Sequence, residues 1–230
     1  LATAAEKYSD NETITALAAK VKEQYAAYQA NPEGYFDSVE LMELDTMVGG
    51  KGKNNPTLVK VLAEQSGPAI DYLEKLGMTI HNVGSFGGAS VKRIHRPVDE
   101  NGKVISVGSY MIPILEENLK KRDKITLLTS VTAEEITKSE DGKISGVKAK
   151  GSSGNSVEVK APVVIVATGG FAANKEMVEK YQPSLKGYMS TNAPGALGQG
   201  ITMAEAVGAE TVDMDQIQIH PTVHIEEDGN

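Results

Sequence analysis

Apolar residues recur at helical spacing through the first third of the chain and as alternating or unbroken runs in the rest. In residues 11–30, Ile14, Leu17, Val21, Tyr25 and Tyr28 form one stripe, and Asn11 is placed to cap the helix they predict. The stretch NPEGYFD breaks that helix, and DSVELMELDTMVGG predicts a second, short one ended by Gly49-Gly50. Asn55-Pro56 opens a third, with Asn as cap and Pro at the first helical position. It is expected to cap again at Ser66-Gly67-Pro68 and to stop at Gly77. A short strand at 79–82 then leads into VGSFGGASVKRIHRP, which has no helical period. Residues 107–122 predict an amphipathic helix, with Met111, Ile112, Leu115 and Leu119 on one face and Lys120-Lys121-Arg122 at the end where the helix dipole favours cations.

After it, ITLLTS predicts a strand, and VTAEEITK and KISGVKAK a hairpin about Asp141-Gly142. The turn GSSGNS joins VEVK to VVIVAT, an apolar strand without alternation, as expected of a strand buried on both faces of a parallel α/β sheet. Residues 173–181 and a segment of about 13 residues after Gly198-Gln199-Gly200 predict two further helices, and QIQIHPT a half-buried strand that ends at His220. No internal repeat or low-complexity tract interrupts the pattern.

Composition narrows the classes of function. A chain of 230 residues is long enough to bury a full core. The net charge of −8 argues against a nucleic-acid groove as the main partner. Zero cysteines exclude disulfides, cysteine-ligated metal sites and thiol nucleophiles. No apolar run approaches the roughly 18 residues that span a bilayer, so membrane insertion is not expected. The start at Leu1-Ala2-Thr3, without methionine, is expected of a processed or trimmed chain.

Four stretches could carry chemistry. APVVIVATGGF places two glycines at the carboxyl end of a buried strand, where open α/β sheets bind ligands and a backbone can approach a cofactor closely. A tight strand-to-helix turn would explain the same tetrapeptide. TNAPGALGQGITMAEAVGAE, about 28 residues on, leads glycines into a helix whose first amides could face a polar ligand. GGASVKRIHRP gathers Lys92, Arg93, His95 and Arg96 in an acidic protein; ties from this loop to nearby carboxylates are the preferred reading over an anion site. In QIQIHPT, Pro221 holds His220 extended, and such a histidine can donate a charge-assisted hydrogen bond to a carboxylate or serve structure alone. His81 and His224 are read as structural, and no spacing of His, Asp or Glu suggests a metal site.

Taken in order, ELMELDTMVGGKGKNNPTLVKVLAEQS, VGSFGGASVKRIHRP, VIVATGGFAANKEMVEKYQPSLKGYMSTNAPGALGQGITMAEAVGAE and QIQIHPT resemble the flavoprotein of soluble fumarate reductases of the flavocytochrome c type. Succinate dehydrogenase flavoproteins and L-aspartate oxidases are more distantly similar. The resemblance covers roughly residues 38–224. It implies an α/β fold, an incomplete doubly wound, Rossmann-like FAD-binding domain with a helical N-terminal part and a small β-hairpin sheet. Residues 1–213 would be the middle of that domain (helical 11–77, α/β 78–213), and 214–230 the start of the substrate clamp. The family's strand–GxGxxG–helix is not found in this chain, and Leu1 to Ala5 resemble the residues just after the glycine-rich segment beneath the flavin.

By the same resemblance, Ala133 meets the adenine through its backbone, and Thr168, Gly169, Gly170, Gly198 and Gln199 belong to the FAD cradle. Relatives often carry Gly-Asp-Gly where this chain has Gly198-Gln199-Gly200, so a charge is missing there. His220 would grip one carboxylate of a small dicarboxylate such as fumarate, and the arginine that protonates the substrate is not in this chain. The implied reaction is hydride transfer from reduced flavin N5 to an activated C=C bond, with electrons from a donor domain or protein. The longer protein is thus expected to be an enzyme and the 230-residue chain alone to be inactive. The alternatives are a non-catalytic α/β fragment or binding module without FAD, another 2-enoate reductase, or an L-aspartate oxidase.

Overall fold

A computed structural model describes residues 6–219. The chain divides into two compact units, Leu1–Leu127 and Leu128–Asn230.

The first unit is built on three helices: α1 (Glu12–Ala30), α2 (Val39–Gly49) and α3 (Pro56–Lys75). Each starts as its sequence dictates. The Asn11 side chain accepts from the Ile14 amide, Ser38 from that of Leu41, and Asn55 from those of Thr57 and Leu58. Their apolar stripes meet in one core of Ile14, Ala18, Val21, Leu41, Leu44, Met47 and Val59. Tyr25 and Tyr28 leave the buried stripe and pack instead around Phe36, with ring centroids at 5.1 and 5.4 Å.

The expected break in α3 is absent. The helix runs through Ser66-Gly67-Pro68, although proline removes one backbone hydrogen bond and is costly in a helix interior. The Ser66 hydroxyl turns back to the Ala63 carbonyl rather than starting a new helix. At the far end, Gly77 is left-handed at φ +95° and the Met78 amide donates to Leu73 O, which closes the helix and buries Met78.

A two-stranded antiparallel sheet follows, β1 (Asn82–Gly84) with β2 (Ile94–Arg96), three residues beyond the strand start expected at 79. Helix α4 (Val107–Lys120) turns Ile114 and Asn118 inward beside Met111, Leu115 and Leu119, whereas Ile112 is exposed. Asn118 donates to the Leu76 carbonyl and ties α4 to the end of α3.

The second unit holds an antiparallel sheet in the order β3 (Val131–Lys138), β4 (Ile144–Gly151), β5 (Ser156–Lys160). The hairpin about Asp141-Gly142 is present, with Gly142 at φ +81°. Helices α5 (Lys175–Tyr181) and α6 (Gln199–Ala206) come next, and α6 packs beside β3. Helix α6 is shorter than the 13 residues expected because Gly208, left-handed at φ +95°, ends it.

Three expected strands are not formed: residues 125–130, 163–168 and 216–219 join no sheet among the described residues, and of 125–130 only Ser130 bonds towards the β4–β5 turn, accepting from the Ser152 amide. For 163–168 the expectation of a central parallel strand is overturned, since Val163 is 71% and Ile165 86% exposed. An unbroken apolar run is buried on both faces only where neighbouring strands and covering layers exist, and the described residues supply neither.

Candidate functional site

The first unit resolves the basic loop. Arg93 donates to both oxygens of Asp37 and to Asp45, with its side chain only 11% exposed. Ser90 donates to Asp45 through its amide and hydroxyl, and the Lys92 amide donates to the Tyr35 hydroxyl at 2.8 Å. Burial works against the Arg93 charge more than any other single influence, but the two aspartates together outweigh it and raise its pKa. The His95 ring meets the Ile80 carbonyl at 3.1 Å. The loop is therefore tied down by carboxylates, as its residues suggested.

The second unit brings the glycine segments together. The Gly198 amide donates to Gly170 O at 3.1 Å, and the Ala173 amide to Ala196 O at 2.9 Å. Asn174 caps α5 by accepting from the Met177 amide, while its Nδ2 donates to Leu197 O at 3.0 Å. Gly198 precedes α6 at φ +75°, and a Cβ there would lie 2.6 Å from Met177 Sδ and 2.8 Å from Phe171 Cβ. A Cβ at Gly200 would strike the Thr168 side chain and come within 2.6 Å of Val166 Cγ1. The two glycines thus serve different ends: Gly198 makes the turn, and Gly200 lets α6 approach residues 166–168 closely.

Gly169 differs from both. It is left-handed at φ +74°, yet a Cβ would meet nothing within 4 Å, and the same open space lies over Gly170. Two backbones without side chains face free space, which leaves room for a ligand to approach them closely.

Across a groove of about 800 Å³, Ala133 and Glu134 of β3 face Asn174, Lys175, Gln199 and Thr202. Strand β3 is an edge strand, and its register slips between Ala133 and Glu135, so Glu134 has no partner on β4. Such a bulge disrupts the ladder locally and can leave main-chain groups for a ligand. No side chain caps α6, whose first turn opens beside Gln199. Thr168 and Gly169 line a smaller hollow of about 250 Å³ with Gly200 and Glu210, and Gly170 one of about 530 Å³ with Phe171, Asn192, Asp213 and Met214.

The structure therefore joins residues 168–170 to 198–200 through the Gly198–Gly170 contact and sets Ala133 across a groove from Gln199, while Thr168 with Gly169, and Gly170, line two separate hollows. His220 lies outside the described residues. Sequence reasoning missed Asn174, which locks the two segments; an Asn just before a helix was the available signal. It also missed the bulge at Glu134, which leaves no mark in composition. Among the described residues no three His, Asp or Glu side chains are placed to hold a metal ion.

Residues 24–229 match the family model described as FAD binding domain, and the chain belongs to that family. It is 44% identical over 189 residues to the "Fumarate reductase (cytochrome)" of Shewanella frigidimarina, covering 82% of this chain and 32% of that one. It is 43% identical over 191 residues to the "NADH:fumarate oxidoreductase" of Klebsiella pneumoniae (strain 342), covering 83% of this chain and 20% of that one. Its fold is similar to that of an open conformation of a flavocytochrome c3 fumarate reductase, with TM-score 0.75, 35% identity, and coverage of 84% of this chain and 33% of the other. The chain spans about a third or less of the length of these relatives. The family's cofactor is FAD, and the open backbone at Gly169-Gly170, the uncapped start of α6 and the bulged edge of β3 fit part of its cradle.

Proposed function

We propose that these residues are the middle portion of a longer FAD-dependent oxidoreductase that reduces the C=C bond of a small unsaturated dicarboxylate, fumarate to succinate. The observation that carries the reading is the meeting of residues 168–170 with 198–200 beside the β3 bulge. It is supported by membership of the FAD binding domain family and by two relatives named for fumarate at 44% and 43% identity.

Ala133 offers main-chain groups to the adenine. Thr168, Gly169 and Gly170 admit the cofactor close to the backbone, and Gly198 and Gln199 present the first amides of α6 to a polar group. When bound, FAD supplies the two-electron chemistry, a hydride from N5 of its reduced ring. His220, in the clamp that begins at residue 214, holds one substrate carboxylate by a charge-assisted hydrogen bond. Holding that carboxylate also polarises the alkene, and protonation of the second carbon falls to an arginine elsewhere in the longer protein. Electrons arrive from a donor domain or protein. Among the described residues no helix is long and apolar enough to cross a membrane, and no membrane insertion is proposed.

A second reading concerns the 230-residue chain by itself, as a non-catalytic α/β module without FAD. Exposed Val163 and Ile165 favour it, because among the described residues no sheet holds the run that leads into Thr168-Gly169-Gly170. Both readings are tested by flavin absorbance. The longer protein should carry FAD in stoichiometric amount and the isolated chain none. A yellow isolated chain would overturn the second reading, and a longer protein that binds no flavin would overturn the first.

A further inference from the structure

Asn101-Gly102 is the single Asn-Gly pair in the chain, and it sits at the tip of a turn remote in sequence from every residue of the cradle. The turn is closed by the Val98–Val104 bridge, by the Asp99 amide donating to Lys103 O, and by Gly102 N–H donating to Asp99 O at 3.0 Å. The Asp99 carboxylate accepts from the amides of Asn101 and Lys103, both at 2.9 Å. Asn101 and Gly102 are exposed, and a Cβ at Gly102 would meet nothing within 4 Å. The Asn101 side-chain amide forms no hydrogen bond among the described residues, so no partner holds it away from the next backbone nitrogen.

We infer that Asn101 is a site of spontaneous deamidation, with water as the only co-reactant. The Gly102 backbone nitrogen attacks Asn101 Cγ. The new N–Cγ bond forms as the Cγ–Nδ2 bond breaks, and the side-chain nitrogen leaves as ammonia, carrying the proton lost from the backbone. Water then opens the five-membered succinimide at either carbonyl, giving aspartate or isoaspartate. Glycine at the next position is what permits the attack, because no side chain shields its nitrogen or restricts its dihedrals. Either product places a new carboxylate beside Asp99 and Glu100 and takes the formal charge from −8 to −9. Isoaspartate also lengthens the backbone within the turn and so opposes the Val98–Val104 pairing.

The Asp141-Gly142 turn is the internal control. It has the same exposed hairpin form, but Asp141 carries a carboxylate, ionised at neutral pH like any aspartate, in contact with the Lys143 ammonium and the Ser139 hydroxyl. An ionised carboxylate is a poor electrophile, so the equivalent reaction there is suppressed at neutral pH.

The test is to hold the folded chain in mildly acidic and mildly alkaline buffer and map the products by peptide mass. A one-dalton gain should appear first on the peptide containing Asn101, run faster in alkali, and release ammonia in step with it. Asn101→Gln, which keeps an amide but forms a larger ring slowly, should lose the signal, and the Asp141 peptide, whose isomerisation leaves its mass unchanged, should show no isoaspartate by chromatographic separation over the same period. Gain at another asparagine before Asn101 would overturn the inference. So would an unaltered Asn101 in the folded chain while a free peptide of residues 97–105 converts.

Discussion

The Gly198 amide donates to the Gly170 carbonyl at 3.1 Å, joining two glycine segments that stand far apart in sequence. With the Ala173–Ala196 and Asn174–Leu197 bonds, this one holds the open backbone at Gly169-Gly170 beside the start of α6. Because the two segments use glycine for different reasons, substitution separates them. Gly198→Ala forces a Cβ against Met177 and Phe171 at a left-handed position and should destabilise the second unit by about 2–4 kcal/mol, combining overpacking with backbone strain. At Gly169 a Cβ meets nothing within 4 Å, so Gly169→Val should cost mainly the strain of its φ and β-branch, while it strips FAD from the longer protein. Denaturant titration and flavin content should move independently in the two variants. Equal loss of flavin and stability in both would remove the distinction.

Arg93 holds the 90–93 loop to Asp37 and Asp45 with little exposure. Arg93→Ala removes the cation that Asp37 and Asp45 share and should cost about 2–3 kcal/mol, below the full buried-pair figure because both carboxylates keep some contact with solvent. Arg93→Lys should recover only part, since an ammonium cannot repeat the two-oxygen contact to Asp37. Urea unfolding of the three proteins checks the order. A lysine variant as stable as wild type would mean the fork geometry is unimportant.

Ile165 gives a test of the proposal that the chain is part of a longer fold. It is 86% exposed here, so Ile165→Ala in the isolated chain should shift stability by no more than about 0.5 kcal/mol. In the longer protein the same residue should lie in a covered strand, and the substitution should cost about 2–5 kcal/mol. Matching effects in both proteins would contradict the proposal.

In the longer protein, His220→Ala should raise KM for fumarate and lower kcat/KM by roughly 10- to 150-fold, the loss of one charge-assisted hydrogen bond of about 1.5–3 kcal/mol, with FAD content unchanged. Steady-state kinetics with a flavin assay decides it. Lost flavin together with unchanged fumarate kinetics would make the histidine structural.

The helices were legible because each announces itself locally: Asn11, Ser38 and Asn55 cap their helices, and each cap is succeeded by a core-facing stripe. The same holds for the hairpin at Asp141-Gly142; for Arg93 the basic loop announced a need for carboxylates, but not that Asp37 and Asp45, far back in the chain, supply them. Pro68 misled because a helix packed through Val59 and Ala63 tolerates an interior proline that the isolated sequence would not. The apolar run 163–168 misled in the opposite way, since strand pairing is non-local and depends on partners that the described residues do not provide. Of the cradle, the glycines were visible as residue types, but the Gly198–Gly170 contact, the locking role of Asn174 and the unpaired Glu134 arise only when distant segments meet.

The decisive measurement for fumarate reduction is the reoxidation of a reduced viologen dye by the flavin-loaded longer protein, with fumarate as the acceptor. Turnover should occur with fumarate, succinate should form in equal amount, and a monocarboxylate enoate such as urocanate should give little or no turnover. A flavin-loaded protein that reoxidises the dye with the monocarboxylate but not with fumarate would contradict the assignment of a dicarboxylate substrate.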